Sequence, residues 1–331
     1  LISEFKIDRI IGIGEAIIRQ KDLFKTKEKS FYTSTDDFLH KLDLNHFNNE
    51  AILLKGSRNF YFEKISAAFE EKMHRTVLEI NLNALVHNLN YFRAKLKPKT
   101  KIMIMVKALS YGSGTYEIAN ILQYQRVDYL GVAFADEGVA LREAGIKTPI
   151  IVMNPEQNSF DLILKYKLEP EIYNFNVLEQ FSKTVLREGL KNYPVHIKLD
   201  TGMYRLGFTK NEITGLIQHI KESKALKVSS VFSHLAASDE NVHDEYTRQQ
   251  LILFDDLSRQ IINGIGYPVL RHILNSAGIE RFPEAQFEMV RLGIGLYGIS
   301  AENNELLATV STLKSTVIQV KQVPKNETIG Y

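Results

Sequence analysis

The chain has 331 residues and a mass of 37.9 kDa, with 44% hydrophobic and 24% charged residues, a globular balance that excludes a disordered or collagen-like chain and fits one α/β barrel of ~250 residues with a small attachment. Lys plus Arg number 41 against 39 Asp plus Glu, a net charge of +2, so neither nucleic acid nor a membrane surface is expected as a partner. Cysteine is absent, which excludes disulfides, cysteine nucleophiles and Cys-based zinc centres, and no metal site is expected. No apolar run reaches the ~18 residues needed to span a bilayer, and the N-terminus lacks the features of a signal peptide. A cytoplasmic protein is expected. Leu1 stands first and Tyr331 ends a polar, strand-like region, so the chain reads as a piece of something longer.

In chain order, residues 1–72 read as a small α/β piece. A strand is predicted at 9–13 (RIIGI) and another at 51–55 (AILLK), followed by a helix through Phe62, Ile65 and Phe69. Gly12 and Gly14 hint at a phosphate-binding turn, but Ile17 stands where a third glycine belongs, and plain turn chemistry is the stronger alternative. A different rhythm starts at Arg75. Strands are predicted at 76–82 (TVLEINL), 101–106 (KIMIMV), 129–133 (YLGVA), 149–153 (PIIVM), 170–173, 195–199 (VHIKL), 228–232 (VSSVF) and 271–274. Amphipathic helices are predicted between them at 82–96, 116–124, 137–143, 160–168, 178–187, 212–221 and 247–264. About eight strands alternating with helices predict an α/β fold, a parallel sheet closed as a (β/α)8 TIM-type barrel over 73–304. An open doubly wound sheet has the same local pattern, but eight regular units favour closure. Residues 307–320 alternate with period two and are rich in Thr and Val, which predicts the start of a β domain over 305–331.

The polar residues are informative by position. Lys107 follows KIMIMV, Lys198 and Asp200 end VHIKLD, His234 ends VSSVFSH, Asn275 and Ser276 end RHILNS, and Arg291 follows 288–290. All lie at the C-terminal ends of predicted strands, the face where barrel enzymes place their active sites. One such residue is ordinary solvent contact; five such strand ends together, with two lysines and a histidine among their residues, point to a site. A lysine ending a buried strand is costly unless paired or deprotonated, and desolvation with nearby cations makes an amine a Schiff-base nucleophile. The glycine-containing loop after Lys107 and the segment Gly293-Ile294-Gly295 both suit an anion such as phosphate. The constellation points to a phosphate-bearing cofactor held by a lysine.

These segments resemble the alanine racemases. MVKALSYGSG (105–114) is similar to the family's lysine motif, and KLDTGMYRLGF (198–208) to its K-x-D-T-G-M-x-R-L-G segment. FSHLAASDE (232–240), RHILNSAG (271–278), MVRLGIGLYG (289–298) and GVAFADEGVALREAGI (131–146) match further blocks, and the resemblance runs from about Thr76 to Tyr331. It implies a barrel binding pyridoxal 5'-phosphate, followed by a β domain, acting on L-alanine and D-alanine as a homodimer with a shared active site. Lys107 would form the Schiff base and be the base on the D-alanine side. Tyr111, Ser276 and the backbone at Gly293 and Ile294 would hold the phosphate. Arg205 would bind the substrate carboxylate with its bidentate fork. Arg291 would face the pyridine nitrogen, where it stays charged and gives the ring no proton. His272 would orient Arg291, Asn275 would lie beside the cofactor, and Lys198 is similar to a lysine carbamylated in some members. The ending Thr328-Ile329-Gly330-Tyr331 resembles the family's G-Y-G motif, so Tyr331 would be the second catalytic base, reaching across the dimer, with His234 supporting it beside the cofactor. Leu109, Ser110, Ser113 and Tyr204 depart from the family's residues, and Tyr204 could narrow the pocket or alter substrate preference. With most of the β domain absent, weak or no activity is expected of this chain alone.

Residues 1–72 resemble something else. GIGEAI (12–17) and LLKGSRNFYFEKI (53–65) look like the end of the last domain of a Mur ligase, the enzyme that adds D-Ala-D-Ala to UDP-muramoyl tripeptide. Ligase–racemase fusions couple D-alanine supply to peptidoglycan synthesis. The chain has no G-x-x-x-x-G-K-[ST] loop, so no ligase activity is expected of it. Alternatives to an alanine racemase are a racemase of other amino-acid specificity, a non-catalytic barrel carrying the cofactor, and a decarboxylase on the related barrel.

Overall fold

The computed structural model describes residues 7–47, 50–69, 76–317 and 319–330. They fall into two compact units, Leu1–Thr76 with Ser315–Tyr331, and Val77–Lys314.

In the smaller unit, β1 (Arg9–Ile13) pairs in parallel with β2 (Glu28–Tyr32). The helices Thr35–His40 and Glu63–Phe69 close a small core of Ile13, Phe38 and Ile65. Ser34 caps the first of these by accepting the Asp37 N–H at 3.1 Å. The strand expected at 51–55 does not form, and Leu53 there is 87% exposed. The partner of β1 is instead EKSFY, whose Glu28, Lys29 and Ser30 lie exposed, so an apolar count passes over it. The glycine turn also has a packing explanation: a Cβ on Gly12 would fall 2.5 Å from the Phe31 ring, so the small residue seats an aromatic.

The larger unit opens with β3 (Val77–Ile80) and continues with β4 (Lys101–Met105), β5 (Tyr129–Val132), β6 (Ile150–Val152), β7 (Glu169–Ile172), β8 (Tyr193–Lys198), β9 (Leu226–Phe232), β10 (Leu270–His272), β11 (Met289–Leu292) and β12 (Ser311–Lys314). Eight of these form one parallel sheet in the order β10-β9-β8-β7-β6-β5-β4-β11. Its two ends meet, and the Arg291 N–H donates to the Leu274 carbonyl at 3.0 Å across the seam. The barrel is nearly closed and ringed by helices.

Its members differ from expectation in one place. The strand predicted at 76–82 lies outside the barrel, where β3 pairs antiparallel with β12. The eighth barrel strand is β11, beside β4. Burial gives the reason: β11 is buried throughout, whereas β3 is half-covered and β12 exposed. Barrel strands are covered on both faces and read as continuous apolar runs. In β4, Ile102 and Ile104 join the large core that includes Leu85, Leu89 and Phe92 of the helix Leu82–Ala94, while Met103 clusters with Ile151 and Met289.

Candidate active site

Each strand of a parallel barrel delivers its C-terminal end to the same face, and the polar residues singled out above sit there. Directly after β4 comes Val106, which is buried and donates its N–H to the Gly131 carbonyl at 2.9 Å. Lys107 follows, and then the backbone turns left-handed for four residues: Ala108, Leu109, Ser110 and Tyr111 have φ of 52, 52, 54 and 57°. Non-glycine residues in that region cost ~1–2 kcal/mol each, so the turn persists only because its surroundings fix it. Ser110 N–H donates to Val106 O (3.1 Å), Gly112 N–H donates to Ala108 O (2.9 Å), and the Tyr111 ring packs on Tyr297 with centroids 4.8 Å apart. The turn leaves Lys107 exposed at the mouth rather than desolvated at a strand end. Burial raises the Tyr111 hydroxyl above its ordinary pKa.

Arg291, in β11, is buried, and both of its Nη groups are engaged by acceptors. Its Nη1 donates to His272 Nδ1 (2.7 Å) and His272 O (3.1 Å). Its Nη2 donates to Ser233 O (2.5 Å), Ile273 O (2.9 Å) and His234 Nδ1 (3.3 Å). Burial lowers its pKa to about 10, against an opposing pull from Glu171, which still leaves it charged at neutral pH. Arg only donates, so the imidazole nitrogens facing it are bare. Burial first, then Arg291 and other cations, push His272 and His234 well below the ordinary imidazole value. From His272 a chain of bonds crosses the barrel interior: His272 Nε2 to Ser230 Oγ (2.9 Å), Ser230 Oγ to His196 Nδ1 (2.6 Å), and His196 Nε2 to Glu169 Oε2 (2.8 Å). With His272 Nδ1 bare, its Nε2 carries the proton. The arrangement that pairs every donor then runs one way, from guanidinium through His272, Ser230 and His196 to carboxylate.

Lys198, ending β8, lies 4.5 Å from the centre of the Phe232 ring, which stacks on His272 at 4.8 Å. Burial pulls its amine down to about 8, partly offset by Glu171. Glu171 in β7 is buried; burial raises its carboxyl, while Lys198, Arg291 and Arg205 lower it, and among the described residues its Oε1 has no hydrogen-bond partner. The loop after β8 folds back on itself. Phe208 N–H donates to Lys198 O (2.9 Å), Asp200 N–H donates to Phe208 O (3.0 Å), and Asp200 Oδ1 accepts from Gly202 N–H (2.9 Å) and Tyr204 N–H (3.1 Å). Gly207 makes this possible, with φ of 129° and a position where a Cβ would lie 2.5 Å from Asp200 N. The loop presents Arg205, exposed, at the mouth. The fields of Arg291, Lys198, Arg205 and Lys107 all reach His234, a cationic mouth suited to an anionic ligand.

The phosphate residues also converge. Ser276 Oγ accepts from Gly293 N–H (3.0 Å) and Gly295 N–H (3.1 Å), so its own hydroxyl hydrogen is left to donate elsewhere. A Cβ on Gly293 would lie 2.9 Å from the Tyr111 hydroxyl, a cradle that a side chain would fill. Tyr111, Ser276 and the backbone at Gly293 and Ile294 therefore surround one small space, with Lys107 on the same face. This donor set fits a lysine-bound cofactor carrying a phosphate. Asn275 stands directly before Ser276; its Oδ1 accepts from Gly278 N–H (2.8 Å), capping the helix Ser276–Arg281, and from Ser238 Oγ (2.8 Å). Tyr331 lies outside the described residues. Glu171 and the Ser230–His196–Glu169 chain sit inside strands, where a search of strand ends passes over them; the alternation within EPEI and VHIK was the available signal.

A family model described as the alanine racemase N-terminal domain matches residues 80–301. An alanine racemase of Thermodesulfovibrio yellowstonii is 38% identical over 256 residues, covering 76% of this chain and 67% of the relative. The solved alanine racemase of Clostridium difficile 630 superposes with a TM-score of 0.70 at 31% identity, over 78% of this chain and 68% of its own. That of Bartonella henselae, solved with covalently bound pyridoxal phosphate, superposes with a TM-score of 0.66 at 25% identity, over 74% and 67%.

Proposed function

This chain belongs to the alanine racemase family, and from that premise we propose that it interconverts L-alanine and D-alanine with pyridoxal 5'-phosphate bound at Lys107. When bound, that cofactor draws electrons from the α-carbon and makes its proton labile. Tyr111, Ser276 and the Gly293–Ile294 backbone would hold its phosphate. Arg205 offers a planar fork to the substrate carboxylate, and the Asp200-pinned loop aims it. Lys107 moves the α-proton on one face. Tyr331 is proposed for the other face, from a second subunit of a homodimer, with His234 beside it: Nδ1 of His234 faces Arg291, so its proton sits on Nε2.

Arg291 carries the reading. A guanidinium with a pKa of about 10, held by three carbonyls and two bare imidazole nitrogens, can donate a hydrogen bond to a ring nitrogen but keeps its proton. Such a partner would limit the electron withdrawal that the cofactor supplies and so favour return of the α-proton over other chemistry. That choice suits racemisation.

We further read the chain as three segments: 1–72 as the end of a Mur ligase α/β domain, 73–304 as the barrel, and 305–331 as the start of a β domain. The ligase reading is supported by the GIGEAI and LLKGSRNFYFEKI segments. The parent would be a cytoplasmic bifunctional protein supplying D-alanine for peptidoglycan. Among the described residues no helix is long and apolar enough to cross a membrane. The test is D-alanine formation from L-alanine in heavy water by the cofactor-loaded chain, with serine and lysine as competing substrates. Deuterium at the α-carbon of D-alanine is expected, weakly at most from this chain and fully from a parent that carries the whole β domain. Its absence from this chain and from a full-length parent would sink the assignment, and a faster rate on serine or lysine would move it to another specificity.

A further inference from the structure

The left-handed turn after Lys107 has an anchor that neither its own sequence nor the proposed chemistry accounts for. Glu137 sits in the first turn of the helix Ala135–Glu143, which follows β5. One carboxylate oxygen, Oε2, accepts from Ala133 N–H (2.6 Å) and Phe134 N–H (3.3 Å), the ordinary bonds of a helix N-terminus. The other, Oε1, leaves its own helix and accepts from Ala108 N–H at 2.7 Å, 29 residues away in sequence. Capping requires the first set of bonds and not the second. Ala108 is the residue directly after Lys107 and the first of the four left-handed residues.

We propose that Glu137 is a positioning residue for Lys107: its carboxylate joins the end of β5 to the end of β4 and holds the left-handed turn that sets where the Lys107 amine and the Tyr111 hydroxyl point. This rests on Lys107 as the cofactor lysine. A strained turn persists only where its neighbours over-determine it, and this bond fixes the residue at which the strain begins. Glutamine cannot replace the carboxylate, because the two oxygens serve different strand ends and an amide NH2 would face a backbone N–H at one of them. Aspartate is one methylene too short to reach both.

The test uses the full chain without cofactor, titrated with pyridoxal 5'-phosphate. Covalent loading of Lys107 is trapped by borohydride and located by peptide mapping. Glu137→Ala and Glu137→Gln should keep the wild-type circular dichroism yet need about tenfold more cofactor for half-loading. Ala108→Gly, added to Glu137→Ala, should recover at least threefold of that loss, because glycine adopts positive φ freely; a merely structural Glu137 gives no such rescue. Loading of either single variant at the wild-type concentration overturns the proposal. Amide exchange at Ala108 reads the same bond without cofactor: protection in the wild type, lost at least tenfold in Glu137→Ala, is expected, and equal exchange in the two overturns it. Wild type that shows this protection but never loads Lys107 sinks the cofactor reading and leaves the Glu137–Ala108 clamp standing.

Discussion

Ser276→Ala separates stability from cofactor binding at one atom. Ser276 is 5% exposed, and its Oγ is the acceptor for the Gly293 and Gly295 N–H groups. Removing it leaves two backbone donors at a buried position without that partner. Each costs about 1–3 kcal/mol, and partial rescue by water brings the expected loss to about 2–4 kcal/mol. For a domain of this size that lowers Tm by roughly 4–15 °C. The second effect concerns the hydroxyl hydrogen, which the two accepted bonds turn away from the protein. A hydrogen bond to a charged phosphate oxygen is worth about 1.5–3 kcal/mol, so half-loading by pyridoxal 5'-phosphate should need roughly 10- to 100-fold more cofactor. Calorimetry of the cofactor-free chain and a loading titration read the two effects separately. A Tm within 1 °C of wild type refutes the role of Ser276 in holding the 293–295 backbone. Unchanged half-loading refutes its role at the phosphate.

Gly207→Ala puts a Cβ 2.5 Å from Asp200 N at a φ of 129°; a loss of roughly 2–4 kcal/mol in urea unfolding is expected, with KM for alanine rising more than kcat falls because the loop carries Arg205. Lys198 supplies a pH dependence. Its amine falls from 10.5 to about 8 on folding, so between pH 8 and 10.5 the unfolded chain binds more protons. Its contribution to stability therefore rises with pH across that window, by at most about 3 kcal/mol. Denaturation midpoints at pH 8 and 9.5 should show the rise, and Lys198→Met should flatten it; a wild-type slope of the opposite sign contradicts the burial of that amine. Glu171→Gln removes the group that most raises the Lys198 amine, so that pKa should move below about 8, read by NMR of the methylated lysine; a rise would refute the pairing.

Much of the barrel could be read from the chain because its strands are buried on both faces. KIMIM, YLGV and IIV are continuous apolar runs, and no tertiary knowledge is needed to see them. The same rule placed Lys107, His234, Ser276 and Arg291 at one face, since a strand's C-terminal end is a local property and parallel strands share it. Where burial is one-sided the signal weakens. EKSFY formed a strand and AILLK did not, and TVLEINL turned out to pair outside the barrel. The rest was decided by neighbours. Ala-Leu-Ser-Tyr contains no glycine, so nothing local foretells four left-handed residues, and Glu137 reads as a helix cap until Ala108 is found against its other oxygen. The line from Arg291 to Glu169 exists only because β7, β8, β9, β10 and β11 come together in one barrel. Periodicity and strand ends are fixed by the backbone residue by residue, whereas hydrogen bonds between strands depend on register and closure, which arise only when the whole sheet has curled onto itself.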